Sequence, residues 1–334
     1  MCSQKARPLT PSARPRLAEG SFDKLRTGSL PQGERGALAL YVHIPFCETK
    51  CPYCDFNTYA RIEPLIPDYI AALRREIAVW GGLLGRPKTH TVFFGGGTPS
   101  YVPQDDFVAV LRDIHGAFDI APDAEITLEA NPGDFDLTKL SAYLDAGANR
   151  LSVGVQTFED RLLSLLGRRH DAAQAIAAYR LAREAGFRNV SIDLMYGLPH
   201  QSLDDWTATL GQVTALSPDH LSMYCLTLEH GTPMEQWVKS GRMPEPDADL
   251  AADMYVLAEE RLARLGYRHY EISNWARPGF ESRHNLAYWR NAPYLGVGPG
   301  AHSYLGGMRF ANLKAPKEYI RRMDSADALE HAVL

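Results

Sequence analysis

The chain has 334 residues, enough for one large domain or for one domain with a smaller companion. It is mildly acidic, with a formal net charge of -5 and a pI near 6.1, which argues against a general nucleic-acid-binding surface. Five cysteines, three of them close together, do not make a secreted disulfide framework and fit a reducing, cytoplasmic setting; no apolar run approaches membrane-spanning length.

Residues 1–36 are rich in Pro, Ser, Gly and basic side chains and lack apolar periodicity. They hold no apolar core of the kind a signal peptide needs, and Pro8 and Pro11 argue against an amphipathic presequence helix. The expectation is a disordered leader, or a start codon placed too early. From residue 37 onward, strand-like and helix-like stretches alternate. The apolar run 38–44 reads as a buried strand. A helix is predicted over 67–84, with Ile70, Leu73, Ile77 and Trp80 at helical spacing. A strand over 89–94 runs into Gly95-Gly96-Gly97-Thr98, and a helix over 103–118 follows. The pattern repeats with a strand at 125–129 and a helix at 137–146, then a strand at 150–155 and a helix at 172–185. It repeats again with a strand at 189–195 and a helix at 202–216, for which Ser202 is the expected N-cap, and ends in a sixth strand at 220–226.

Six repeated strand–helix units with apolar strands predict an α/β fold with a parallel sheet and right-handed crossovers. Periodicity does not separate a partial barrel from a doubly wound sheet. After Pro233 the pattern changes. A helix over 249–265 precedes a stretch dense in Tyr, Trp, His, Asn and Gly, and a helical segment starts near Lys317. The expected division is a leader at 1–36, a core at 37–233, and a smaller, incomplete α+β module at 234–334.

Cys47, Cys51 and Cys54 form a C-x3-C-x2-C array directly after the first strand. Strand C-termini are where ligands collect in α/β folds. Three thiolates can hold three irons of a [4Fe-4S] cluster and leave the fourth for a small molecule. Zinc, with His43 completing the set, and unligated thiols are the alternatives; Cys2 and Cys225 lie far away. Polar groups recur at the other strand ends. The Gly95–Thr98 run allows close backbone approach to a ligand. Glu129 ends the third strand, Gln156 follows the fourth, and Asp193 lies within the fifth. Arg168 and Arg169 could clamp a carboxylate, or could simply be a solvated helix start. His284, in HNLAYW, could ligate iron or be a hydrogen-bonded structural histidine, and the same alternatives hold for His302 in GVGPGAHSY.

Together these residues resemble the radical S-adenosylmethionine (SAM) superfamily. The segments YVHIPFC, FFGGGTP, LEANPG, SVGVQTF, IDLMYGLP and GPGAHSY are similar to the branch that holds oxygen-independent coproporphyrinogen III oxidase and the heme chaperones. The oxidase group carries a further cysteine two residues after the last cluster ligand, where this chain has Phe56. The H-N-x-x-Y-W signature, present as His284 to Trp289, belongs to the chaperone group. The resemblance implies a partial TIM-like (β/α)6 barrel, with Cys47, Cys51 and Cys54 holding a [4Fe-4S] cluster. It implies a SAM pocket lined by Tyr41, Tyr53, Gly96, Gly97, Thr98, Glu129, Gln156, Arg168, Asp193 and Thr227, and a heme contact at His284. It further implies binding of heme and its transfer to an acceptor protein, with an electron donor such as flavodoxin or ferredoxin. The alternative it leaves is oxidative decarboxylation of coproporphyrinogen III.

Overall fold

A computed structural model describes residues 38–324. The expected leader and the last residues of the expected C-terminal module lie outside the described residues. Strand β1 (Leu38–Ile44) is buried on both faces except at Tyr41. Helix α1 (Ile66–Leu83) follows, then β2 (Lys88–Gly96), α2 (Gln104–Ala117), β3 (Asp119–Ala130) and α3 (Leu137–Asp145). The series continues with β4 (Arg150–Gln156), a short α4 (Asp160–Leu165), α5 (Ala172–Ala185), β5 (Val190–Tyr196), α6 (Leu203–Leu216) and β6 (His220–Cys225).

Strands β1 to β6 lie side by side in chain order and run parallel. Their order never reverses, as it would at the switch point of a doubly wound sheet; sequential addition is the winding of a barrel. Local chemistry sets the helix ends. Ser202 Oγ accepts from the Asp205 N–H at 3.1 Å, and the Asp205 carboxylate accepts from the Ser202 N–H at 2.7 Å, the reciprocal cap expected of that sequence. β3 starts earlier than the run at 125–129 suggests, because Asp119 and Ile120 already pair with β2.

The chain beyond Pro233 extends the same sheet at both edges. Helices α7 (Pro233–Lys239) and α8 (Ala248–Arg264) lead to β7 (Arg268–Glu271) and β8 (Asn274–Ala276), and β8 pairs antiparallel with β6. Helix α9 (Arg283–Trp289) then crosses back, and β9 (Tyr294–Val297) pairs parallel with β1. The hairpin of β10 (His302–Leu305) and β11 (Met308–Ala311) completes that edge before α10 (Pro316–Met323). The eleven strands run β11-β10-β9-β1-β2-β3-β4-β5-β6-β8-β7. A buried carboxylate ties the late segments to the barrel. Glu76 of α1 accepts from the Gly298 N–H at 2.7 Å, Asn312 Nδ2 at 2.6 Å and Tyr319 Oη at 2.6 Å. Among the described residues, no helix is long and apolar enough to cross a membrane.

Candidate functional site

The C-terminal ends of the parallel strands and the loop after β1 enclose a cavity of about 350 Å³. The loop is held at its base. Phe46–Cys47 pairs with Tyr59–Ala60, and the Tyr59 N–H donates to the Pro45 carbonyl at 2.8 Å. Lys50 Nζ donates to the Thr58 carbonyl at 3.1 Å and to that of Phe56 at 3.3 Å. The glycine run after β2 docks onto the same base. Gly97 N–H donates to the Ile44 carbonyl at 2.7 Å, and Thr98 N–H to that of Phe46 at 2.8 Å. A Cβ at Gly97 would stand 2.6 Å from the Phe46 carbonyl oxygen, so this approach requires glycine.

Cys47, Cys51 and Cys54 all line the cavity as free thiols. Each has a polar neighbour. Thr98 Oγ1 donates to Cys47 Sγ at 3.5 Å, Arg168 Nη1 lies 3.8 Å from Cys51 Sγ, and Thr58 Oγ1 lies 3.9 Å from Cys54 Sγ. Burial pushes the Cys47 and Cys54 thiols up, so binding of a cationic metal centre at this site would displace protons. His43 does not join them. Its Nε2 donates to the Asn57 carbonyl at 2.9 Å, which leaves Nδ1 to accept from Tyr41 Oη at 3.0 Å. The fourth ligand required by the zinc alternative is therefore not supplied by this histidine. Among the described residues, no three His, Cys, Asp or Glu side chains converge on a single metal-ion position.

The opposite wall is polar, and pairing register puts it there. Glu129 stands beside Ser152, and Asp193 lies between Gly154 and Ser222. Ser152 Oγ donates to Asp193 at 3.0 Å, and Gly96 N–H donates to Glu129 Oε2 at 3.2 Å. Burial, with the Asp193 charge second, pushes Glu129 up to about 8; burial also raises Asp193. Gln156 holds a left-handed φ of 71°, a strained conformation for a residue with a Cβ, beside a register shift at Gly154. Tyr53 and Thr227 line the same space. Arg168 donates through Nη2 to Asn131 Oδ1 at 2.5 Å and to the Gly154 carbonyl at 2.6 Å, while its buried Nε has no partner. Three thiols, a glycine cradle and a guanidinium held in place beside Cys51 fit a cluster with a small carboxylate-bearing ligand.

Not every expected site residue reaches this cavity. Tyr41 faces a second cavity of about 410 Å³, which also touches Phe56, Gly96 and Glu129. Arg169 turns outward to form ion pairs with Asp134 and Glu48. His284 lines neither cavity. It is 1% exposed and stacks on Phe93 at 5.0 Å, with Nδ1 bonded to Thr91 Oγ1 and Nε2 to Tyr288 Oη, each at 2.9 Å. Both ring nitrogens are thus engaged within the protein, and burial, with Arg150 second, lowers its pKa to about 3 and keeps the ring neutral. Two polar residues escaped the sequence reading. Asn131 bridges Arg168 and Thr98, its Nδ2 donating to Thr98 Oγ1 at 3.0 Å. Its signal was its place two residues beyond Glu129, which in an extended chain means the same face. Lys50 is the other; its position between two cysteines was the only hint.

The profile of the Radical SAM superfamily matches residues 41–213. The chain is 41% identical over 283 residues to the heme chaperone HemW of Mycobacterium tuberculosis (strain ATCC 25618 / H37Rv), covering 84% of this chain and 73% of that protein. It is also 41% identical over 268 residues to the heme chaperone HemW of Escherichia coli (strain K12), covering 79% and 69%. Among solved structures, coproporphyrinogen III oxidase (HemN) from Escherichia coli superposes with a TM-score of 0.80 at 28% identity, covering 94% of this chain and 74% of that one.

Proposed function

The chain belongs to the radical SAM superfamily and, within it, to the HemW family, and on that premise we propose that it binds heme and hands it to an acceptor protein. The observation that carries this reading is the single cavity that gathers Cys47, Cys51, Cys54, the glycine run and Arg168 beside a second, aromatic cavity. The three thiols would hold a [4Fe-4S] cluster. When SAM is bound there, the cluster would supply the electron for reductive cleavage of its sulfonium.

The chain's own residues set the conditions for that chemistry. Backbone at Gly96 and Gly97 would receive the amino-acid end of SAM, and the guanidinium of Arg168, whose Nη1 lies 3.8 Å from Cys51 Sγ, would meet its carboxylate. Glu129 and Asp193 offer acceptors to ribose hydroxyls or to the ammonium group. Tyr53 and Thr227, which line the same cavity, would contact the rest of SAM, as would Gln156 on its strained backbone. An electron donor such as flavodoxin or ferredoxin would reduce the cluster. The acceptor of heme is a protein that this chain does not name.

The overall likeness to coproporphyrinogen III oxidase keeps decarboxylation as the second reading. One anaerobic sample tests both. After reconstitution, iron and inorganic sulfide should bind in cluster proportions, and Cys51→Ser should lose nearly all of both. Hemin should then be taken up, and coproporphyrinogen III should be left unchanged. Zinc without sulfide in the native protein would defeat the cluster assignment. Turnover of coproporphyrinogen III would replace the chaperone reading with the oxidase one.

A further inference from the structure

The second cavity has the composition of a site for a flat, apolar, dianionic ligand. Phe56, 67% exposed, stands at its border with the cysteine cavity. Tyr288 and Tyr294 meet edge to face at 4.8 Å on the far wall, and Tyr41 lies at the inner end. Aromatic walls of this kind supply apolar contact and π faces to a planar ring. Two polar groups at the rim of this wall are exposed and open to a ligand: among the described residues, the imidazole of His302 and the ammonium of Lys314 form no hydrogen bond or ion pair.

Both groups sit on fixed backbone. His302 begins β10, paired with Ala311, and its carbonyl packs against Gly296, where a Cβ would stand 2.2 Å from that oxygen. The Lys314 carbonyl accepts from Asn57 Nδ2 at 3.0 Å and from Tyr59 Oη at 3.3 Å, which ties it to the base of the cysteine loop. The other histidine lining the cavity, His43, has both nitrogens engaged, and so does the buried His284. A neutral imidazole is a common axial ligand of heme iron, and a lysine ammonium pairs with a propionate carboxylate.

We propose that this second cavity is where heme binds, with His302 as the iron ligand and Lys314 as the partner of a heme propionate. The assignment rests on the heme-chaperone reading and gives that reading a place in the molecule. It also puts the cargo in contact with Phe56, Gly96 and Glu129, the wall shared with the cysteine cavity.

The test titrates the full-length protein with hemin and, separately, with iron-free protoporphyrin IX, following the Soret band. Wild type should bind hemin at least tenfold more tightly than protoporphyrin IX, since only hemin can use an iron ligand. His302→Ala should erase that difference and shift the hemin spectrum, while protoporphyrin binding stays as in wild type. His302→Met, which keeps a side chain able to ligate iron, should bind hemin with a changed spectrum. Lys314→Glu should weaken both porphyrins by a similar factor. A His302→Ala protein with the wild-type hemin spectrum and affinity overturns this assignment and leaves the chaperone reading standing. A wild-type protein that takes up no hemin overturns both.

Discussion

The two cavities share one wall but are built in different ways. The cysteine cavity is made from strand ends in chain order, so each lining group follows a strand that the apolar pattern already marks. The aromatic cavity is assembled from both ends of the described chain, with Tyr41 and Phe56 on one side and Tyr288, Tyr294, His302 and Lys314 on the other. The first is a property of the barrel. The second exists only because β9 pairs with β1 and brings the late segments home. Changes that loosen that docking should therefore damage the aromatic cavity alone, and changes at the cysteine loop should do the reverse.

The largest expected effect is at the docking. Glu76 is wholly buried and accepts from three donors, on Gly298, Asn312 and Tyr319. Glu76→Leu leaves all three donors unmet in the core, which should cost about 3–5 kcal/mol. Urea denaturation should record the loss, and hemin binding should fall even where folded protein remains. Cluster content after reconstitution should survive better than hemin binding. If both fall in step, the two cavities are not separable in the way their construction implies.

Gly97→Ala attacks the other side. The added methyl meets the Phe46 and Ile44 carbonyl oxygens at 2.6 and 2.8 Å, neither of which is the end of a flexible side chain. The glycine run must lift from the loop, weakening the two bonds that dock it. The expected loss is about 2 kcal/mol, with cluster incorporation reduced and porphyrin binding largely kept. Near-normal cluster content in this variant would mean that the loop tolerates a wider seat.

This difference in construction also explains what could be read from the sequence. The parallel strands announced themselves by apolar runs, and the groups at their ends by position alone, so Glu129, Gln156, Asp193 and the cysteines fell into one cavity. The helices α4, α7 and α9 are too short to display a periodic face, and the edge strands β7 to β11 are only three or four residues long. Pairing of β9 with β1 joins segments some 250 residues apart, and no local pattern encodes that contact. His284 looked like a ligand because a histidine among aromatics has the same one-dimensional signature whether it faces a cavity or the core. In the structure it faces the core and bonds Thr91 and Tyr288, contacts that are invisible until the chain is folded.

The smallest expected effect concerns Glu129, the acid that both cavities touch, and it appears as a slope with pH. Its carboxyl is raised to about 8 by burial and by Asp193, above the usual 4.5. A carboxyl raised on folding gives its full stabilisation below pH 4.5 and loses it as pH rises towards 8. His284, lowered to about 3, and His170, lowered to about 4, act in the other direction. Each is buried as the neutral ring, so the stability it confers is present above pH 6.5 and is lost as pH falls below that value. Between pH 6.5 and 8 these histidines are flat and Glu129 alone of the three keeps titrating. The metal-free protein should therefore lose roughly 1.5 kcal/mol across that window, within the limit of about 1.4 kcal/mol per pH unit for one proton. Urea midpoints at pH 6.5, 7.2 and 8.0 measure the slope, and Glu129→Gln should flatten it without touching the acid limb. A slope that persists in Glu129→Gln would place the titrating group elsewhere. A slope that vanishes would make the shared wall neutral at pH 7, so that SAM on one side and a porphyrin on the other would meet a protonated acid able to donate a hydrogen bond rather than a negative charge.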